Sequence, residues 1–331
     1  MSFLKTGGIA RDHGRASSGS DAGAVGNEAG APLDLGRVVA GLADLRAASA
    51  ERRPDGTSRA LPSRDVMLDV TDGLVAALFP RHFGPGGLHT GDVDNFVAGT
   101  LKTKLPALQH QVQLELAQRD GGGEGAFGPV RTALEIVAEI ASALPDVRAL
   151  LDTDIRAAYA GDPSAKSLDE VICCFPGVAA MIRHRIAHRL YKSGVTLLAR
   201  MIAEFAHSQT GIDIHPDAQI GESFFIDHGT GVVIGETAVI GRHVRLYQAV
   251  TLGAKRFEVD DSGSLRKDYP RHPIVEDDVV IYSGATVLGR VTIGKGSSIG
   301  GNVWLTQSVP PGSHVTQAKV RHESFDDGAG I

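Results

Sequence analysis

Residues 219–253 read QIGESFFIDHGTGVVIGETAVIGRHVRLYQAVTLG, and this stretch decides the fold. Ile220 and Ile226 stand six apart. Ile234, Ile240, Leu246 and Leu252 repeat that step in a frame shifted by two residues. Working outward, Ile214 extends the first set, and Val275, Ile281, Val287, Ile293, Ile299 and Leu305 form a third. Glycine follows directly at Ile220, Ile234, Ile240, Leu252, Ile293 and Ile299. Small or branched residues stand four positions after many of the aliphatics, among them Ala218, Ala238, Val244, Val250, Ala285, Val291 and Val303. This is the hexapeptide repeat of a parallel β-helix. Each hexad supplies one short strand and one corner; the aliphatic points into a triangular prism, and glycine keeps the corner tight. Thirteen in-phase positions argue against an antiparallel β domain with chance spacing. Three hexads close a coil, so roughly four to five coils are expected. The expected hand is left, an exception to the right-handed crossover rule.

The repeat is interrupted between Leu252 and Val275. The segment 254–272 is polar and must leave the prism as a loop; loops of this length are commonly functional. Upstream, the apolar period is helical. Ser63 can cap a helix over Arg64–Leu78, and a second covers Val93–Leu116. Pro129 is placed to open a third that stops before Pro145, and Asp152–Tyr159 reads as a short fourth. Val178–Lys192 and Val195–Ser208 follow, each ended by glycine. The first 60 residues, rich in Gly, Ala and Ser, read as a disordered leader. The sequence thus predicts an α+β chain. A leader (1–60) and an all-α helical domain (61–210) precede a left-handed parallel β-helix (211–320, with loop 254–272), and a flexible tail (321–331) closes the chain.

Composition narrows the function classes. The 33 Lys+Arg against 39 Asp+Glu give a net charge of −6, with no long basic run. That disfavours nucleic acid or an anionic membrane as partner. Two adjacent cysteines, Cys173 and Cys174, preclude a disulfide framework and read as buried thiols in a reducing cytoplasm. No apolar stretch approaches the ~20 residues of a membrane span. His184 and His188 are one helical turn apart, but flanking arginines favour a solvated or interface face over a metal site.

A filled prism has no internal cavity, so ligands must sit outside it, typically between chains. The reactive candidates are polar groups near corners: Asp213, His215, Asp227, His228, His243, Arg271 and His272. Asp213-Ile-His-Pro, the run Ile226 to Gly241, Val250-Thr-Leu-Gly253, Arg271-His-Pro273 and Ile299-Gly-Gly-Asn-Val-Trp-Leu305 carry a resemblance. Asp154-Ile-Arg and Gly161-Asp-Pro163 in the helical part continue it. Together they resemble the serine O-acetyltransferase family, in its branch with a longer loop, over roughly residues 150–320.

The resemblance implies acetyl transfer from acetyl-CoA to the hydroxyl of L-serine, giving O-acetylserine for cysteine synthesis, with no permanently bound cofactor. It implies His228 as base, Asp213 as its orienter, and His272 as an aid to the substrate carboxylate or the oxyanion. Asp162 and Asp227 are implied to hold the serine ammonium and Arg271 its carboxylate. Gly253, Ala254, Ser283, Gly284, Gly301 and Lys319 are implied to line the CoA site. It further implies cysteine as a feedback inhibitor and a homotrimer or dimer of trimers. O-acetylserine sulfhydrylase is the implied partner, bound through the terminal Ile331. The chemistry is consistent: a serine hydroxyl needs a base at the moment of attack, and an imidazole oriented by a carboxylate supplies one. Three rivals remain at this level: an acyltransferase on homoserine or a sugar hydroxyl, a zinc lyase of carbonic anhydrase type on the same prism, and a scaffold trimer.

Overall fold

A computed structural model describes residues 34–50, 60–118, 131–260 and 263–317. They form two units, the first ending at Ser58 and the second beginning at Arg59. The leader expected to be disordered contains a helix of its own, α1 (Leu35–Ala50), with Leu35, Val38, Val39, Leu42 and Leu45 exposed. Their spacing is helical, and the scattered charges of the leader masked that period.

In the second unit, α2 (Arg64–Leu78) starts where expected, and the Ser63 hydroxyl accepts the Val66 N–H. The short α3 (Pro80–Phe83) follows, then α4 (Val93–Ala117). The expected break at Pro145 does not occur. One helix, α5 (Ala133–Gly161), opens on a capping box between Thr132 and Glu135 and runs through the proline. Interior proline costs about 3 kcal/mol, but Ile140, Leu144, Val147 and Leu151 on both sides of it are buried, and that packing outweighs the lost hydrogen bond. After α6 (Leu168–Cys174) come α7 (Pro176–Lys192) and α8 (Thr196–Thr210), which ends at Gly211 in the left-handed conformation (φ 70°). The N-terminus of α8 lacks a local side-chain cap. The buried Glu115 carboxylate, reaching from α4, accepts the Leu197 and Leu198 N–H groups instead.

Beyond Gly211 the chain winds into the left-handed prism. Its first face stacks β1 (Asp213–Ile214), β4 (Val233–Ile234), β7 (Thr251–Gly253), β10 (Thr286–Leu288) and β13 (Trp304–Leu305), all parallel. The second stacks β2 (Gln219–Ile220), β5 (Val239–Ile240), β8 (Ile274–Val275) and β11 (Thr292–Ile293). The third stacks β3 (Phe225–Ile226), β6 (Arg245–Leu246), β9 (Val280–Ile281), β12 (Ser298–Ile299) and β14 (His314–Val315). The hexad aliphatics meet inside: Ile234, Leu252, Val275, Leu246, Ile281, Val287, Ile293 and Ile299 are all buried. Gly294 shows why corners need glycine, since a Cβ there would lie 2.3 Å from the Pro311 backbone nitrogen.

The frame shift has a structural meaning. Ile214 pairs with Ile234, so the first coil takes 20 residues (234 − 214) where three hexads would take 18. The two extra residues bulge at the corner after β3, where His228 (φ 59°) and Gly229 (φ 91°) adopt the left-handed region. The same left-handed φ recurs at other corners, at His243 (56°), Ala249 (58°) and Asn302 (55°), so it belongs to the turn of the prism; the two-residue insertion is what sets the His228 corner apart.

Helices and prism are joined by a buried ion pair. Arg185 of α7 grips Asp154 of α5 at 3.1–3.2 Å and also donates to the carbonyls of Ile220 and Gly221. Asp154 in turn accepts the Phe224 N–H at 2.9 Å. Burial lifts the Asp154 carboxyl to about 6 against the pull of Arg185. Two expectations are corrected here. Cys173 and Cys174 are exposed, because Val171 and Ile172 take the buried side of α6 and leave the two residues after them outside. His184 is buried, not solvated, and burial keeps its imidazole neutral. Among the described residues no helix is long and apolar enough to cross a membrane.

Candidate active site

Three elements converge on the corner between the third and first faces. The bulge after β3 presents Asp227 and His228. The C-terminal end of α5 delivers Asp162, which is possible because Gly161 lies against Phe225, where a Cβ would approach its ring to 2.8 Å. The start of α7 packs as closely, Gly177 sitting on the Ile226 carbonyl. His228 is 74% exposed, with its Nε2 3.9 Å from the Asp227 carboxylate, whose side chain is 12% exposed. Asp162 is held below the usual carboxylate range, first by the Ser164 backbone N–H and its hydroxyl, and also by the nearby charges of Arg245 and His228. Two carboxylates and an imidazole therefore share one corner.

Arg245, which no motif of the sequence marks, sits among them. Its guanidinium bonds Asp227 at 2.5 Å and lies over the rings of Phe225 and Tyr247. Tyr247 stacks on Tyr282 of the next coil, their ring centroids 5.1 Å apart. A charged residue at a strand position expected to face outward was the only signal for Arg245 in the sequence.

Asp213 is on β1, one coil below, and makes no hydrogen bond or ion pair with His228. The expected Asp–His contact is therefore not made within this chain. The imidazole is largely exposed, and catalytic hydrogen bonds are often long until substrate binds.

Arg271 and His272 occupy a different corner, between the first and second faces, where the long loop rejoins the prism. Arg271 pairs with Glu236. Burial pulls the Glu236 carboxyl up, but the Arg271 hydrogen bond and the His215 and Arg271 charges outweigh it and hold it below the usual range. Glu236 also accepts the Tyr191 hydroxyl, and Tyr191 meets His215 edge-on at 5.4 Å. His272 is buried against Gly235, whose missing side chain makes room for the ring. Burial, then Arg271, pushes the His272 imidazole down to about 4; burial, then Arg200, does the same to His215. Glu236 lies inside the stretch that decided the fold, in Ile-Gly-Glu-Thr, yet no period or spacing singled it out.

The residues expected to line the CoA site divide in the same way. Ser283, Gly284 (φ 70°) and Gly301 lie together on the His228 corner, the Ser283 carbonyl accepting the Asn302 N–H at 2.9 Å. Gly253 and Ala254 lie on the His272 corner, at the end of β7. Lys319 and Ile331 fall outside the described residues. His243 is at neither corner; it pairs with Asp278 where the second face turns into the third. Among the described residues no three His, Cys, Asp or Glu side chains are grouped to hold a metal ion.

Residues 272–307 match the family model for the bacterial transferase hexapeptide (six repeats). A plasmid serine acetyltransferase of Synechococcus elongatus is 54% identical over 275 residues, 82% of this chain and 86% of that protein. A serine acetyltransferase of Mycobacterium tuberculosis is 51% identical over 162 residues, 49% of this chain and 67% of its own. Among solved structures, serine acetyltransferase 1 of Entamoeba histolytica in complex with L-cysteine superposes with a TM-score of 0.65 at 38% identity, covering 78% of this chain and 88% of that one. A helical domain locked to a hexapeptide prism, an acid–histidine corner and a relative so similar over most of both lengths lead to one assignment: the chain belongs to the serine acetyltransferase family.

Proposed function

We propose that this protein transfers the acetyl group of acetyl-CoA to the hydroxyl of L-serine, at sites completed between copies of the chain. The observation that carries the reading is the meeting of Asp162, Asp227 and His228 at one corner. Two carboxylates offer an ammonium site directly beside an accessible imidazole. His228 accepts the serine hydroxyl proton as the oxygen attacks the thioester carbonyl. The tetrahedral oxyanion collapses, the C–S bond breaks, and the imidazolium returns its proton to the CoA thiolate.

Arg271 and His272 supply what this corner lacks: a two-pronged grip for the serine carboxylate and a hydrogen-bond donor for the oxyanion. Both corners flank the first face, one on each side of it. A threefold arrangement of prisms sets the His228 corner of one protomer against the His272 corner of the next, so a trimer, or a dimer of trimers, assembles whole sites. Pantetheine then threads between Ser283, Gly284 and Gly301 on one wall and Gly253 and Ala254 on the other, with Lys319 left to meet phosphate. Asp213 steadies His228 once substrate orders the ring. Cysteine shares the carboxylate and ammonium of serine, so it competes for the same contacts. Assembly with O-acetylserine sulfhydrylase through Ile331, and a cytoplasmic setting, complete the proposal.

Acceptor profiling tests it. With acetyl-CoA, serine should release CoA at least about tenfold faster than homoserine or a sugar, since a site built for both charges of an amino acid rejects acceptors that leave them unpaired or misplaced. Equal rates would remove serine as the substrate.

A further inference from the structure

One side chain organises the His272 corner, and nothing in the family assignment gives it a role. The Thr237 hydroxyl oxygen accepts the backbone N–H groups of Arg271 (2.9 Å) and His272 (3.1 Å). A hydroxyl oxygen has two acceptor positions and one proton, so both acceptor positions are in use. The remaining proton is aimed at the His272 ring, whose Nδ1 lies 2.9 Å from the hydroxyl oxygen. The backbone N–H of Thr237 reaches the same Nδ1 at 3.0 Å. A backbone N–H can only donate, so Nδ1 carries no proton, and in the neutral ring the proton is on Nε2. Arg290 closes the clamp from outside, its Nη1 donating to the carbonyls of Thr237 (2.6 Å) and His272 (3.0 Å).

We propose that Thr237 is a positioning residue that locks His272 as the Nε2–H tautomer, and thereby makes His272 a hydrogen-bond donor to substrate and not a proton acceptor. The proposal rests on the acetyl-transfer reading of the site. The surroundings agree with it. Arg271 and Arg290 face the ring from the loop end and from the turn after β10, Glu236 faces it from the preceding coil of the same corner, and His215 lies beyond. Burial and the two cations keep the ring neutral across the working range. With Nδ1 already accepting two hydrogen bonds and Nε2 protonated, no lone pair is left to take the serine proton. That task falls to His228, whose ring nitrogens make no hydrogen bond among the described residues. The donor role suits His272 to an oxyanion or a carboxylate, and neither requires it to change charge.

The test uses the full chain with Thr237→Val, which keeps the branched shape and removes the hydroxyl, and Thr237→Ser, which keeps the hydroxyl. Nitrogen-15 NMR of histidine-labelled protein reads the tautomer, with His272→Gln identifying the resonance. The wild type should show His272 protonated at Nε2 and bare at Nδ1 throughout pH 5.5–8.5. Thr237→Val should mix the tautomers or bring the ring into titration, and lower kcat roughly tenfold to a hundredfold while the KM for acetyl-CoA stays within about twofold. Thr237→Ser should recover kcat to within about threefold. A wild-type ring protonated at Nδ1 overturns the proposal. So does a Thr237→Val enzyme with unchanged tautomer and kcat, and so do equal losses of kcat and Tm in both variants, which mark a purely structural threonine. If the wild type releases no CoA with serine, the acetyl-transfer reading falls, while the NMR measurement still decides the tautomer assignment.

Discussion

Subunits carrying His228→Ala and subunits carrying His272→Ala should each be nearly inactive alone and should regain activity when co-expressed. The magnitude follows from the corner geometry. His228 lies where the third face meets the first, and His272 where the first meets the second, so the proposed function brings them to one substrate between two chains. In the proposed cyclic trimer each interface would join the His228 corner of one subunit to the His272 corner of the next. A trimer with two subunits of one variant and one of the other has a single interface at which both histidines are intact. Purification through two different tags retains only such mixed trimers, so CoA release should reach about one third of the wild-type rate per trimer. The parent variants should lie about 10²–10⁴-fold down for the base and about 10²–10³-fold down for the donor. The assay is thiol release from acetyl-CoA with saturating serine, and the mass of the mixed species is checked by light scattering. Mixed trimers no more active than their parents would refute the shared site, and with it the threefold arrangement drawn from the two corners.

Gly235→Ala should place a Cβ 2.0 Å from Cδ2 of His272; the ring must move by more than 1 Å, about enough to cost 10²-fold in kcat, whereas Gly99→Ala, with open space around it, should leave turnover unchanged. Arg185→Met strands the buried Asp154 carboxylate and should lower stability by about 3–5 kcal/mol in denaturant unfolding; a loss below about 1 kcal/mol would show the pair to be dispensable. Stability should rise with pH between about 4 and 6.5, because His215 and His272, at about 4 in the fold, bind fewer protons there than in the unfolded chain. Asp154, lifted to about 6, acts in the opposite sense, its contribution falling as pH rises from about 4 to 6. A Tm that falls steadily over that range would show that the acid outweighs the histidines.

The prism was legible because each hexad states its own geometry: an inward aliphatic, a small corner residue, a glycine where backbones approach. Even the frame shift between Ile226 and Ile234 carried information, since it is the bulge that lifts His228 out of the wall. The helices were less legible where a local rule met tertiary packing, as at Pro145, which reads as a stop and is carried through by buried neighbours on both sides. Cys173 and Cys174 misled for a related reason: cysteine is commonly buried, but the core-facing positions of the short α6 are taken by Val171 and Ile172. At the site, residues belonging to a known motif could be found, and residues acting through their neighbours could not. Glu236, Thr237 and Arg245 owe their importance to what lies 18 to 35 positions away in sequence and one coil away in space.

Contacts between residues distant in sequence also tie the helical domain to the candidate site. Asp162 is the C-cap of α5, and Asp154 lies about two turns before it, inside the helix. Asp154 is fixed by Arg185 of α7 and by the Phe224 N–H, and Arg185 is fixed by the carbonyls of Ile220 and Gly221. The position of Asp162 over the His228 corner is therefore set by a chain of buried, charge-assisted hydrogen bonds between helices and prism, not by the loop in which it ends. Gly161 and Gly177 let the two helices come close enough for those bonds to form, since a side chain at either would strike Phe225 or the Ile226 carbonyl. The prism alone could hold a base and one carboxylate. The second carboxylate, to which the proposed function gives the serine ammonium, arrives only because the helices are locked to the prism.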